Sequence, residues 1–198
     1  VVEKSSKLLQ FYSTSSYVDE ALMMLGKSFY YQGNYQKSKR KFEELLATAI
    51  DDEKIITEAN LWIAKNAFEL RDFTEALRVI KEVRVKAVEE GYEDIIKDSY
   101  VQEIKYRIKE EDYPDAITLA NEFADVYDDG VVRAQIYYEL GKLYTLMGEN
   151  DSAILAYEKV FDNEPDFDLE IIATIKYAVA WLTAGRTDNA FGRCEEIR

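Results

Sequence analysis

Small residues recur along this chain at a nearly constant interval, and apolar residues follow each of them at helical spacing. Ser38, Ala76, Ala116, Ala153 and Ala190 are separated by 38, 40, 37 and 37 positions. Four residues after them stand Phe42, Ile80, Ala120, Tyr157 and Cys194; seven after stand Leu45, Val83, Phe123, Val160 and Ile197. Offsets of four and seven put these side chains on one face of an α-helix. Five residues before each small residue come Gly33, Arg71, Glu111, Gly148 and Gly185, and three before come Tyr35, Phe73, Tyr113, Asn150 and Thr187.

A second apolar set lies upstream. Leu25-Gly26 followed by Phe29 recurs as Leu140-Gly141 followed by Tyr144, and more weakly as Ile63-Ala64 followed by Ala67. A Gly or Ala there lets a neighbouring helix come close. Each unit therefore reads as helix, tight turn, helix. Gly33 and Gly148 suit a left-handed C-terminal cap on the first helix. Asn34, Asp72 and Asp112 suit the N-cap of the second, accepting from its free amides. Before the first full unit, Lys4 to Tyr12 reads as one amphipathic helix.

This pattern resembles the tetratricopeptide repeat, a helix-turn-helix unit of about 34 residues. The match is best over Tyr137, Leu140-Gly141, Tyr144, Gly148, Ala153, Tyr157 and Pro165, and nearly as good from Asp19 to Asp52. The expected architecture is an all-α, TPR-like helical-repeat solenoid, a right-handed superhelix of antiparallel helix pairs. Residues 1–17 form a leftover helix of a preceding repeat. Five repeats then cover 18–198, at about 19–52, 53–90, 91–129, 130–165 and 166–198. The period exceeds the family's by three to six residues, about one helical turn. The extra residues are placed at the starts of first helices, as in Asp52 to Ile56 and Tyr92 to Ile96. The chain reads as a fragment of a longer array.

Composition narrows the chemistry. There is no histidine, which excludes Ser-His-Asp and Cys-His catalysis and histidine-bearing metal sites. A net charge of −14 argues against nucleic acid, whose phosphates reward basic faces. No stretch approaches the ~18 apolar residues of a membrane span. Only 8 glycines and 2 prolines are present, too few for many short strands. The Asp125-to-Gly130 run puts Tyr127 where a calcium loop needs a ligand. The acids around Pro165 read as a solvated turn, and Cys194 as a buried residue on an apolar stripe. No metal, cofactor or catalytic residue is assigned.

The resemblance implies a concave groove lined by the first helix of each repeat, at repeat positions 2, 5, 6, 9, 12 and 13. Position 9 gives Lys27, Lys65, Lys105, Lys142 and then Val179, a lysine ladder in an acidic protein. Tyr30, Tyr31, Trp62, Phe68 and Tyr138 flank it as candidate anchors. Such a groove would cradle a peptide or protein segment with acidic side chains or a C-terminal carboxylate. The alternative account leaves the lysines solvated, their stems lying over apolar rows. Met23 stands where the clamp of chaperone-binding TPR proteins has lysine, so a chaperone-tail receptor is not expected.

The function expected is a non-catalytic protein-interaction scaffold. Residues 4–83 look like bacterial envelope TPR proteins of the BamD and TolA-binding types. That resemblance implies an accessory of an envelope complex and favours the envelope or periplasm over the cytoplasm. The alternative is a regulatory domain that senses a peptide or small ligand within a larger signalling or transcription-control protein. Exposed array ends would also permit a homodimer.

Overall fold

The computed structural model describes residues 2–12, 15, 17–49, 52–127 and 129–186. Among them are ten helices and no strand: α1 (Val2–Phe11), α2 (Val18–Tyr31), α3 (Tyr35–Thr48), α4 (Glu53–Glu69), α5 (Phe73–Glu90), α6 (Glu93–Lys109), α7 (Tyr113–Val126), α8 (Gly130–Met147), α9 (Asn150–Phe161) and α10 (Phe167–Thr183). The protein is an all-α helical-repeat solenoid. No described helix is long and apolar enough to cross a membrane. The expected second helix of the fifth repeat, with Ala190, Cys194 and Ile197, lies outside the described residues. So does Asp128.

The chain divides into two compact units, 1–106 and 107–198, and the division falls inside α6. In the first, α2 and α3 pair, α4 and α5 pair, and α3 also packs on α4. One core cluster joins Leu22, Met23, Phe42, Leu45, Trp62 and Ile63; the next joins Leu61, Phe68, Ile80, Val83, Ile95 and Tyr106. In the second unit α8 packs on α7 and α9, and α9 on α10. Ile154, Tyr157 and Ala180 form its centre, with Tyr138, Tyr177 and Trp181 packed against them.

The repeating sequence positions have direct structural causes. A Cβ added at Gly26 would meet Phe42 Cζ at 2.5 Å, and one at Gly141 would meet Tyr157 Cε1 at 2.4 Å. Both glycines thus face the large residue at offset four, whose ring occupies the space of the missing side chain. Ser38, fully buried in the same pair, donates its hydroxyl to the Gly26 carbonyl at 2.8 Å.

One turn motif closes the C-termini of α2, α4, α6, α8 and α10. Gly33, Arg71, Glu111, Gly148 and Gly185 all have positive φ, from 60° to 76°. Behind each, the next amide reaches back to close the helix: Asn34 to Phe29, Asp72 to Ala67, Asp112 to Arg107, Glu149 to Tyr144 and Arg186 to Trp181. This is the Schellman closure, and it demands a left-handed residue regardless of side chain. Arg71 and Glu111 adopt that conformation against a steric cost of about 1–2 kcal/mol. Arg71→Gly and Glu111→Gly should therefore each stabilise their unit by about 0.5–1 kcal/mol, after the added freedom of glycine in the unfolded chain. Urea titration of each variant checks this; a lowered midpoint would refute it.

Two of the expected N-caps are corrected. Asp72 accepts from the Glu75 amide, but Asn34 and Asp112 make no side-chain cap bond. Arg107 takes the Asp112 carboxylate instead, at 2.8 Å. Asp52, Asp129 and Asp166 cap α4, α8 and α10. A buried ionic site joins α5 to α6. Arg84 donates to Ser99 Oγ at 3.1 Å and to Glu103 Oε2 at 2.7 Å, with its guanidinium 3.9 Å from the Tyr100 ring centroid.

Candidate functional site

The inner helices α2, α4 and α6 carry the first three lysines of the ladder, and α8 carries the fourth. In the first unit the ladder is cross-linked. Lys27 Nζ donates to Glu58 Oε1 at 2.7 Å, and Lys65 Nζ donates to Asp98. Glu58 and Asp98 stand second in the repeats that follow, so each lysine meets a carboxylate on the next inner helix. Lys65 is only 5% exposed. Burial pushes its pKa below the usual lysine value, Asp98 opposes the shift, and Lys105 and Lys27 add to it. Lys54 and Asp94 make a further α4–α6 pair at 3.1 Å.

Lys105 is exposed and has no hydrogen bond or ion pair among the described residues. Lys142 bonds Glu139 of its own helix at 2.7 Å and lies 5.5 Å from the Tyr138 ring centroid. The four lysines therefore differ: two hold consecutive inner helices together, one is paired within its helix, and Lys105 is free.

The aromatic candidates also divide. Trp62 stacks on Phe42 at 5.9 Å and meets Tyr30 edge-on at 5.3 Å. Phe68 stacks on Tyr106 with centroids 3.7 Å apart. Trp62 and Phe68 are consequently buried and offer a partner little area. Tyr30 and Tyr138 are partly buried. Tyr31 is 76% exposed and lies edge-on to Trp62 at 5.9 Å. Met24, also exposed, joins Lys27 and Tyr31 on one face of α2 by helical spacing. Lys65 lies 4.0 Å and Lys27 5.5 Å from the Trp62 ring centroid. The exposed part of α2 is thus Met24 and Tyr31, on either side of the half-buried Lys27–Glu58 pair and beside Trp62.

The carboxylates Glu58 and Asp98 were not among the residues singled out from sequence. Their signal is an acid 31 or 33 residues after a ladder lysine. Across the described residues, no group of three or more His, Cys, Asp or Glu side chains could hold a metal ion. A cleft of about 440 Å³ between α3, α4 and α5 is lined by paired charges such as Arg78, Glu82 and Lys86.

Tyr106 adds a pH dependence. Its hydroxyl is buried without a hydrogen-bond partner. Burial, then the charges of Tyr30, Asp98 and Glu69, raises its pKa far above the ordinary tyrosine value. Tyr30 is raised too, by burial first and then by Glu69. The folded protein keeps these protons when the unfolded chain loses them near pH 10. Stability from both groups is therefore full below pH 10 and falls above it, by about 1.4 kcal/mol per pH unit for the buried Tyr106 and by less for the half-buried Tyr30, which solvent screens. Lys65 acts oppositely, gaining stability as pH rises just below the usual lysine value, and one lysine does not offset two tyrosines. Tyr106→Phe should raise stability at pH 7 by about 1 kcal/mol and flatten the fall above pH 10. Urea titrations at pH 7, 10 and 11 test both; an unchanged alkaline slope would contradict the assignment.

Family models of the tetratricopeptide repeat match residues 23–89 and 134–167. No curated protein sequence matches the chain. Among solved structures, the chain is similar to the MamA protein, with 22% identity, TM-score 0.63, and 91% of this chain and 90% of that one covered. It is similar to BtubC (BKLC) from P. vanneervenii, with 16% identity, TM-score 0.72 and coverages of 98% and 84%. It is also similar to the C-terminal part of a TPR repeat-containing protein from Cytophaga hutchinsonii, with 16% identity, TM-score 0.73 and coverages of 99% and 72%. At these identities the likeness is one of fold. The finer resemblance to BamD-type and TolA-binding proteins gains no support from them.

Proposed function

This chain carries tetratricopeptide repeats, and from that premise we propose that it is a non-catalytic scaffold that binds a protein or peptide segment on its inner helix face. The observation that carries the reading is the pair of exposed residues Met24 and Tyr31 on the inner face of α2. A tyrosine and a methionine on one helix face, beside a rigid buried tryptophan, offer anchor area at small entropic cost. Lys105 of the same unit supplies the charge for an acidic side chain or terminal carboxylate, because Lys27 and Lys65 are already neutralised within the stack. The envelope setting rests on the sequence resemblance of residues 4–83 alone.

Affinity capture from native lysate at low and high salt, with the captured protein identified, tests the reading. The baits are the parent chain, a Lys105→Glu variant and a Tyr31→Ala variant. The same partner should be held by the parent, weakened by salt and lost from both variants. Equal capture by all three baits would move binding off this face. Lys65→Glu is unsuitable as a probe, since it would bury a carboxylate beside Asp98 and unfold the stack.

A further inference from the structure

Two grooves stand at the same place in the repeat. In the first unit α3 and α5 both pack on α4, and in the second α7 and α9 both pack on α8. Among the described residues neither outer pair packs together, so a strip of each inner helix stays open between them. The grooves measure about 440 and 420 Å³. Their linings differ. With Ala76 aligned on Ala153, the α5 residues Glu75, Arg78, Glu82 and Lys86 correspond to Ser152, Leu155, Lys159 and Asn163. In the first unit these charges neutralise one another: Arg78 meets Glu75 at 2.8 Å and Glu82 at 2.7 Å, and Lys86 meets Glu90 at 2.9 Å. In the second unit the groove is lined instead by Tyr137, Leu140, Tyr144, Leu155 and Ala156, with Leu155 61% exposed. One cation stands among them. Lys159 Nζ lies 4.9 Å from the Tyr137 ring centroid, and its ammonium has no hydrogen bond or ion pair among the described residues.

We propose that this outer groove of the second unit docks an amphipathic helix of a partner protein, which lays two apolar side chains against Leu140 and Leu155 and sets one acid against Lys159. Tyr137, Leu140 and Tyr144 follow one another along α8 at offsets of three and four. That run is about 10 Å long, the length of two helical turns, and an apolar ridge with i, i+4 spacing matches it. Lys159 sits at the Tyr137 end, so the acid falls about one turn beyond the apolar pair. Glu158 and Asp162 line the same end, exposed and without ion pairs among the described residues, so one acid facing Lys159 is accommodated and a run of acids is not. The groove is open along one side, which would leave a small molecule largely in water. The equivalent groove of the first unit stays open although the chain runs on past it into α6, so the repeat itself supplies no helix for this place. The site uses no residue of the inner-face reading above.

The test selects hydrocarbon-stapled peptides of about 12 residues from a randomised library on the full chain. The staple holds the probes helical, which free peptides of this length would not be. The counter-target is a Leu155→Arg/Lys159→Glu chain, which carries the charges of Arg78 and Glu82 at the matching places. Both positions are exposed, and circular dichroism confirms that the variant stays folded. Enriched peptides should carry large apolar residues at i and i+4 and an acid about one turn away. By fluorescence anisotropy they should bind the parent about tenfold more tightly than the variant. Changing their acid to its amide should weaken binding to the parent several-fold and have no such effect on a Lys159→Glu chain. No enrichment over the counter-target, or a base enriched in place of the acid, overturns the proposal. A dimer of the chain by sedimentation that Leu155→Arg abolishes also overturns it, assigning the groove to a second copy. Leu155→Arg and Lys159→Glu should leave capture through Tyr31 and Lys105 unchanged, so the two readings fail separately.

Discussion

Glu103→Ala should destabilise the protein by about 3–5 kcal/mol, more than any substitution on its surface. The Glu103 side chain is 3% exposed and that of Arg84 is 12% exposed, with Arg84 Nη2 2.7 Å from Glu103 Oε2. Removing the carboxylate leaves a guanidinium enclosed between α5 and α6, held only by Ser99 and the face of Tyr100. The loss comes from stranding the charge, since a buried ion pair itself contributes little net stability. A control separates the two. Arg84→Met combined with Glu103→Leu should recover most of the loss, because it removes both charges and keeps the volume. Urea titration of the single and double variants checks this. A double variant as unstable as Glu103→Ala would mean that the pair holds the helices together by its own attraction.

Phe42→Ala should cost about 3–5 kcal/mol. The ring is completely buried, fills the space over Gly26, and stacks on Trp62. Its loss opens a cavity at the junction of α2, α3 and α4. Gly26→Ala attacks the same contact from the other side. Its new Cβ would lie 2.5 Å from Phe42 Cζ, an overpacking that costs about 1–3 kcal/mol in the parent. Placed in a Phe42→Leu chain, Gly26→Ala should cost clearly less. Strict additivity in that cycle would show that the two residues do not share the site. Because Trp62 rests on Phe42, Phe42→Ala should also loosen the floor beneath Tyr31 and Lys27.

Sequence revealed the parts of this fold that local stereochemistry sets. The left-handed turn was visible at Gly33 and Gly148, and the same backbone recurs at Arg71 and Glu111, where side-chain identity hides it. Gly26 and Gly141 were legible as points of close helix approach and Phe42 and Tyr157 as stripe residues, because spacing within a helix fixes its faces, but their pairing across helices appeared only in the structure. The ladder lysines were legible as positions but not as partners. Lys27–Glu58 and Lys65–Asp98 join residues on successive inner helices, and no local pattern announces a contact between them. For the same reason Trp62 and Phe68 read as groove anchors, although the following helices bury them. Asn34 and Asp112 have the right chemistry for caps, yet Asp112 is drawn to Arg107. Met24 and Tyr31 stood out as the exposed part of the inner face of α2 only once the stacked positions were known to be covered.

The most direct test of partner binding on the inner face is amide chemical-shift mapping of the isotope-labelled chain with its captured partner segment. Perturbations clustered on α2 around Met24 and Tyr31, and at Lys105, are the predicted result. Perturbations confined to the outer helices α3, α5, α7 and α9, with the α2 strip unchanged, would contradict it.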